Sequence, residues 1–231
     1  MKIESVYIEL TNLCNFNCRT CYNRSGLNKT KEQLPLETVL QTIELCRSYG
    51  AKSFQLSGGE TMLYDHIEEL FRKAADMPDV PFTISTNGTV KRELLLDAYR
   101  TTPNIYVQIS LDGSCEEVNA RTRGQGHFDK SMTLIDGLHS CSRPVGYRLK
   151  MVVSKVNLHD IPSYFDLAVR YGCEPRFAFM NSLGNGGDNK DEMALTPLEK
   201  MTALRLIDEA NKKHGTKIEL PFCAFSCPLA D

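Results

Sequence analysis

The chain alternates short β-type runs with amphipathic helical stretches along most of its length. Apolar residues recur at helical spacing between the runs, as from Leu36 to Cys46 before Gly50. Alternation of this kind requires parallel strands joined by right-handed helical crossovers. The sequence therefore predicts an α/β fold, a partial (β/α)6 TIM-like barrel of parallel strands. The predicted strands are 5–10, 53–56, 82–85, 105–111, 147–153 and 176–180.

Composition limits the classes of partner. The 231 residues are 42% hydrophobic and carry a net charge of −2, so one large core can form and no strong field favours nucleic acid or an anionic membrane. The apolar runs are short, and the first ten residues, MKIESVYIEL, lack the basic flank and apolar centre of a secretory signal. We expect a cytoplasmic protein that binds neither nucleic acid nor membrane.

The nine cysteines do not suggest a disulfide framework, because their number is odd, several are clustered, and the expected compartment is reducing. Cys14, Cys18 and Cys21 lie within eight residues as CNFNCRTC, and Cys223 and Cys227 lie near the end. Soft thiolates suit iron or zinc, and close spacing lets one loop direct several sulfurs at one centre. The alternatives are a zinc site or simple packing of three cysteines. Structural zinc prefers four ligands, which counts against the zinc site. The remaining cysteines are scattered singly and suggest packing: Cys46, Cys115, Cys141 and Cys173.

The pattern C-x3-C-x2-C followed by Tyr22 resembles the CNxxCxxCY motif of the radical S-adenosylmethionine (SAM) enzymes. The resemblance implies that Cys14, Cys18 and Cys21 hold a 4Fe-4S cluster whose open iron takes the amino and carboxylate groups of SAM. It also implies that Tyr22 belongs to the cofactor-binding region.

Two further motifs follow predicted strands, at the edge where parallel barrels build their sites. Gly58, Gly59 and Glu60 form SGGE after the second strand, and Asn87 belongs to TNG after the third. Alone, both sequences are ordinary turn signals. In the family they resemble, the glycines of GGE allow the backbone to approach the ligand, and the acid holds the SAM ammonium group.

The fourth strand ends in ISLDG, which resembles the family segment whose serine and aspartate lie against SAM. This implies contacts from Ser110 and Asp112 to the ribose and carboxylate region. The stretch NARTRGQGHF that follows is similar to the family's H-D-x-x-R-G-x-x-x-F, with Asn119 and Ala120 in place of His and Asp. On that alignment Arg123 pairs with the SAM carboxylate, for which a guanidinium is well suited. A solvated surface arginine is the alternative.

The resemblance divides the chain into a radical SAM core over 1–195 and, over 196–231, a C-terminal helix with the start of a cysteine-containing SPASM or twitch extension. Two cysteines cannot hold an auxiliary cluster. We therefore expect Cys223 and Cys227 to be ligands of an auxiliary iron-sulfur cluster in a longer protein from which this chain is truncated. The alternative is a reduced pair at the edge of the fold.

The implied activity is reductive cleavage of SAM to a 5'-deoxyadenosyl radical, which removes hydrogen from a substrate. Members with a SPASM or twitch extension commonly modify peptides or proteins, so a maturase-like peptide modification is expected. The alternatives are a small metabolite or tetrapyrrole precursor as substrate, or a non-catalytic iron-sulfur partner subunit. A flavodoxin or ferredoxin would supply the electron, because the sequence contains no nicotinamide or flavin fingerprint.

Overall fold

A computed structural model describes residues 3–27, 30–141, 143 and 146–218. Its six strands form one parallel sheet in the order β1 to β6, curled into a half-barrel, which confirms the predicted α/β fold. The strands are β1 (Ser5–Glu9), β2 (Ser53–Ser57), β3 (Phe82–Thr86), β4 (Ile105–Ser110), β5 (Tyr147–Val153) and β6 (Glu174–Phe179).

Helices cross from strand to strand and pack on the outer face of the sheet. They bury a continuous apolar core that includes Leu56, Ile84 and Val107. The helices are α1 (Leu36–Ser48), α2 (Ile67–Ala75), α3 (Arg92–Thr101), α4 (Glu116–Arg123), α5 (His127–Ser140), α6 (Ile161–Arg170), α7 (Gly184–Asp188), α8 (Lys190–Met193) and α9 (Pro197–His214). No helix of the described ranges is long and apolar enough to cross a membrane.

The strands are polar on the face that points away from the helices. In β5, buried residues alternate strictly with half-buried ones, and the half-buried positions include Arg148 and Lys150. Parallel strands covered on both faces are apolar almost throughout. The alternation here shows that the inner face of the half-barrel is open and lined by polar side chains.

The sixth strand begins two residues earlier than the predicted 176–180, at Glu174, and ends at Phe179. Glu174 and Arg176 alternate with buried Pro175 and Phe177. The start of the strand was missed because glutamate and proline are depleted in strands. The polar glycine-containing stretch after β6 folds into the short helix α7. Cys223 and Cys227 lie outside the described residues, and the boundary at 195 stays a prediction.

Asn104, which directly precedes β4, contacts the end of α2 and the turn that follows it. Its buried side-chain amide donates to the carbonyls of Ala74, Met77 and Val80 at 2.8, 2.9 and 2.7 Å. Buried carbonyls need such partners where helical hydrogen bonding stops. One side chain therefore closes the turn between α2 and β3.

Candidate functional site

A cavity of about 250 Å³ opens at the carboxyl ends of the strands, above the polar inner face. The cysteine triad, the SGGE turn and residues from β3 to β6 share its wall, so segments far apart in sequence meet at one edge of the sheet. The predicted site residues that line it are Cys14, Cys18, Cys21, Tyr22, Gly58, Gly59, Glu60, Asn87, Ser110 and Arg123.

The cysteine loop, defined as residues 10–24, is docked against the SGGE turn by backbone hydrogen bonds. Gly59 N donates to Thr11 O at 2.7 Å, and Glu60 N donates to Leu13 O at 2.6 Å. A Cβ atom on Gly59 would lie 2.1 Å from Leu13 O, and one on Gly58 would lie 2.5 Å from Thr11 O. The glycines thus allow the turn to approach the cysteine loop. The family resemblance had implied instead that they allow the backbone to approach the ligand.

Helix α7 holds the cysteine loop from the other side. Asn185 N donates to Cys21 O at 2.8 Å, while its side-chain amide donates to Cys18 O at 2.9 Å and to Asn17 Oδ1 at 2.7 Å. Gly184 has φ +56°, and a Cβ there would lie 2.3 Å from Tyr22 O. The glycine-containing stretch after β6 therefore orients the cysteines.

The triad consists of free thiols that are partly buried. Burial is the main reason that the pKa of Cys14 is raised and that of Cys18 is raised to about 12, and the positive charge of Arg123 opposes the rise at both. Two N–H groups face the sulfurs: Asn87 Nδ2 lies 3.9 Å from Cys14 Sγ, and Arg123 Nη1 lies 4.0 Å from Cys18 Sγ. Soft sulfur ligands with N–H donors beside them suit an iron-sulfur cluster.

Within the described part of the chain, no three histidine, cysteine, aspartate or glutamate side chains are grouped so that they could hold one metal ion. In a multi-iron cluster each cysteine binds a separate iron, so the sulfurs surround a larger space than ligands of one ion do. Three thiols of one loop are the type of donor that holds an iron-sulfur cluster.

Glu60 is buried and anchored by three donors. Its carboxylate accepts hydrogen bonds from Thr86 Oγ1 at 2.6 Å, Asn87 N at 2.7 Å and Met62 N at 3.0 Å. Burial raises the pKa of Glu60, and these hydrogen bonds oppose the rise. The carboxylate is thus held in one orientation on the cavity wall.

Arg123 and Asp112 form a buried ion pair. Arg123 Nε lies 2.9 Å from Asp112 Oδ2, Arg123 Nη2 donates to Asp112 Oδ1 at 3.2 Å, and the two side chains are 9% and 0% exposed. The Nε contact lacks the direction of a hydrogen bond, so this nitrogen has no hydrogen-bond partner. The surface-arginine alternative is wrong, because Arg123 is buried and reaches the cavity.

Asp112 lies behind Arg123 and does not line the cavity. Its Oδ1 also accepts from Val152 N at 2.8 Å, and its Oδ2 accepts from Thr122 Oγ1 at 3.0 Å. All of these partners belong to the protein, so the geometry of Asp112 is that of a residue that positions Arg123.

Tyr22 lies at the open side of the cavity, where its hydroxyl donates to the carboxylate of Glu9 and its side chain is 44% exposed. Tyr7 stands on the same side, with its hydroxyl 2.6 Å from Ser57 Oγ. Both side chains line the cavity. Ser110, on β4, is paired in register with Lys150 on β5.

Sequence reasoning missed several residues around the site, among them Lys150, Tyr7 and His127. Lys150 and Tyr7 line the cavity. His127 is fully buried, its ring meets that of Phe16 edge-on with centroids 4.9 Å apart, and its Nδ1 lies 3.1 Å from Asn119 Nδ2. The only sequence signal for His127 was its place four residues after Arg123.

Comparison with known proteins adds to this geometry. Residues 8–168 match the sequence profile of the Radical SAM superfamily. The Fe-coproporphyrin III synthase of Methanosarcina barkeri is 30% identical over 209 residues, which cover 88% of this chain and 50% of that protein. The mycofactocin maturase MftC of Mycolicibacterium smegmatis is 28% identical over 185 residues, which cover 80% of this chain and 46% of that protein. The chain spans about half the length of these curated relatives.

Streptococcus suis SuiB, in a crystal structure with its precursor peptide SuiA, superposes with a TM-score of 0.80 at 15% identity. The match covers 95% of this chain and 48% of SuiB. At that identity the likeness concerns the fold.

Proposed function

The chain belongs to the radical SAM superfamily, and from this premise we propose that it cleaves SAM reductively at a 4Fe-4S cluster and removes hydrogen from a peptide or protein substrate. The observation that carries the proposal is the meeting of the cysteine triad, Glu60 and Arg123 in one cavity at the carboxyl ends of the strands.

In this proposal Cys14, Cys18 and Cys21 hold the cluster through their thiolates. The cluster they would hold would supply one electron to the sulfonium of SAM, so that a C–S bond would break to give methionine and the 5'-deoxyadenosyl radical that takes hydrogen from the substrate. Asn87 and Arg123 place N–H groups beside two of the sulfurs, where they stabilise negative charge. A flavodoxin or ferredoxin is the proposed source of the electron.

The cavity wall offers complementary groups for SAM. The Glu60 carboxylate accepts a hydrogen bond from the SAM ammonium group, and Arg123, oriented from behind by Asp112, pairs with the SAM carboxylate. Ser110, Asn87 and Tyr22 line the same space and contact the remaining polar groups, while Gly58 and Gly59 hold the cysteine loop in place.

A peptide substrate is supported by two similarities: MftC is named a maturase, and SuiB was crystallised with a precursor peptide. A tetrapyrrole or other small metabolite is the second candidate, and the similarity to an Fe-coproporphyrin III synthase favours it. Proposed auxiliary-cluster ligands are Cys223 and Cys227, in a longer protein of the SPASM or twitch type.

Anaerobic reconstitution tests the proposal. Replacing Cys18 by alanine is expected to abolish the cluster absorbance and the formation of 5'-deoxyadenosine, because two cysteines cannot hold the cluster. Cys46→Ala is the matched control, since Cys46 lies on α1 and packs against the core, and it should keep both properties. Full iron content and SAM cleavage in Cys18→Ala would refute the assignment of the triad.

The substrate class has a separate readout. Cleavage of SAM accelerated by a precursor peptide, and not by porphyrin precursors, supports the maturase proposal. The reverse pattern would replace it with the small-metabolite candidate.

A further inference from the structure

The inner face of β5 carries two cationic side chains, Arg148 and Lys150. They are two residues apart, so they point to the same side of the sheet, separated by about 6.6 Å along the strand. Lys150 lines the same cavity as the cysteine triad. Arg148 lines a second cavity of about 250 Å³ lower on the inner face, beside Tyr106 and Glu174.

Most other charges that face this interior already have partners. Arg123 is paired with Asp112, and Glu60 accepts three hydrogen bonds from the protein. On β6, Glu174 accepts from Arg176 Nε at 3.1 Å. The carboxylates near β5 are therefore engaged by other groups.

Lys150 and Arg148 differ from these pairs. Across the described ranges, no carboxylate lies within ion-pair distance of Lys150, and Arg148 Nε is buried without a hydrogen-bond partner. Burial lowers the pKa of both side chains and neighbouring cations add to that effect, while the charge of Glu174 opposes it at Arg148 and that of Asp112 opposes it at Lys150. Two half-buried cations that form no ion pair with a described residue are stabilised when an anion binds between them.

We propose that Arg148 and Lys150 form an anion-binding subsite on the inner face of β5, and that the substrate carries a carboxylate or phosphate group that binds there. Ser110 and Gln108, the register partners of Lys150 and Arg148 on β4, supply neutral hydrogen-bonding groups beside the subsite. This inference rests on the proposed function, because it places SAM in the first cavity, which Lys150 lines, and the substrate in the space that continues from Lys150 toward Arg148.

Two molecules can supply the anion: the substrate, and SAM itself, which also carries a carboxylate. In the proposal Arg123 serves the SAM carboxylate, and the β5 pair serves the substrate. Binding of a simple anion to the protein already saturated with SAM separates the two sources.

The experiment uses the full chain with its reconstituted cluster and saturating SAM, titrated calorimetrically at low salt with inorganic phosphate and, separately, with glutarate. The wild type should bind at least one of these anions, and the stronger of the two identifies the preferred group. Lys150→Met and Arg148→Met should each weaken that binding roughly tenfold to hundredfold, the range for one charge-assisted hydrogen bond. Lys52→Met is the control, because Lys52 is exposed and pairs with Glu4, and it should change the affinity less than twofold.

Conservative variants separate loss of charge from loss of folding. Lys150→Arg and Arg148→Lys keep the positive charge and should retain most of the anion affinity. If neither anion binds to the SAM-loaded wild type, or if all variants bind alike, the subsite does not exist. Weaker SAM binding in Lys150→Met with undiminished phosphate binding would assign Lys150 to SAM and overturn the proposal.

Failure of the proposed function has a different signature. A wild type that takes up neither iron nor SAM would refute that function while leaving the anion titration measurable on the SAM-free protein. Loss of phosphate binding in Lys150→Met and Arg148→Met under those conditions would still support the subsite.

Discussion

Replacing Gly59 by alanine adds one methyl group at the junction between the SGGE turn and the cysteine loop. The new Cβ would lie 2.1 Å from Leu13 O and 2.5 Å from Leu13 C, well inside the 3.4 Å at which ordinary contact begins. These atoms are backbone, so no side chain can rotate away. Gly59 has no positive φ, and steric overlap is therefore the whole perturbation.

The magnitude follows from the two hydrogen bonds that join the loops. Separation by about 1 Å takes the 2.7 Å bond from Gly59 N to Thr11 O and the 2.6 Å bond from Glu60 N to Leu13 O beyond hydrogen-bonding range. Each contributes about 1 kcal/mol, and residual overpacking adds about 1 kcal/mol. We expect the free energy of unfolding to fall by about 2–3 kcal/mol.

Urea denaturation of the apo-protein measures this loss, and iron counting after reconstitution measures its effect on the neighbouring Cys14. Both should fall in Gly59→Ala before SAM is added. The matched control is Gly137→Ala in α5, where the nearest atoms are the flexible side-chain ends of Leu96 and alanine is the better helix former. Normal stability and iron content in Gly59→Ala, with only SAM binding weakened, would refute this explanation. Gly59 would then serve to let the backbone approach the ligand.

Two further predictions concern the fold around the site. Asn104→Ala should lower the free energy of unfolding by about 2–3 kcal/mol in urea denaturation, because three buried carbonyls lose their shared donor; a change under 0.5 kcal/mol would contradict this role. Burial, with help from the charges of Arg123 and Lys130, lowers the pKa of His127 to about 2, so below about pH 6.5 the unfolded chain takes up a proton that the folded chain does not. The free energy of unfolding should therefore fall, through this residue, by about 1.4 kcal/mol per pH unit between pH 6 and 4.5. In His127→Gln the plot of unfolding free energy against pH should be shallower. Parallel plots for the two proteins would show that His127 titrates alike in the folded and unfolded states.

The half-barrel and the location of the site could be predicted from local patterns. Alternating strands and helices allow few topologies, and five of the six observed strands begin at the predicted residue. The motifs after the strands converge because the carboxyl ends of parallel strands meet at one edge. The residue that begins β6, Glu174, was missed because β6 starts with Glu174 and Pro175, two residue types that are depleted in strands.

The roles of individual residues at the site required the tertiary structure. A motif identifies Gly59 and Asp112 as part of the site, but only the packing reveals that Gly59 accommodates the backbone of the cysteine loop and that Asp112 is buried behind Arg123. These are contacts between residues far apart in the chain or hidden by burial, and local patterns carry no information about them.

The sequence by itself determined the class of fold and the cluster of thiols, because strand-helix alternation and the spacing of Cys14, Cys18 and Cys21 are local properties of the chain. Only the tertiary structure decided which charges have partners and which face the interior, as for Lys150 on the inner face of β5. Burial and ion pairing depend on the approach of distant segments, and that approach exists only in the folded protein.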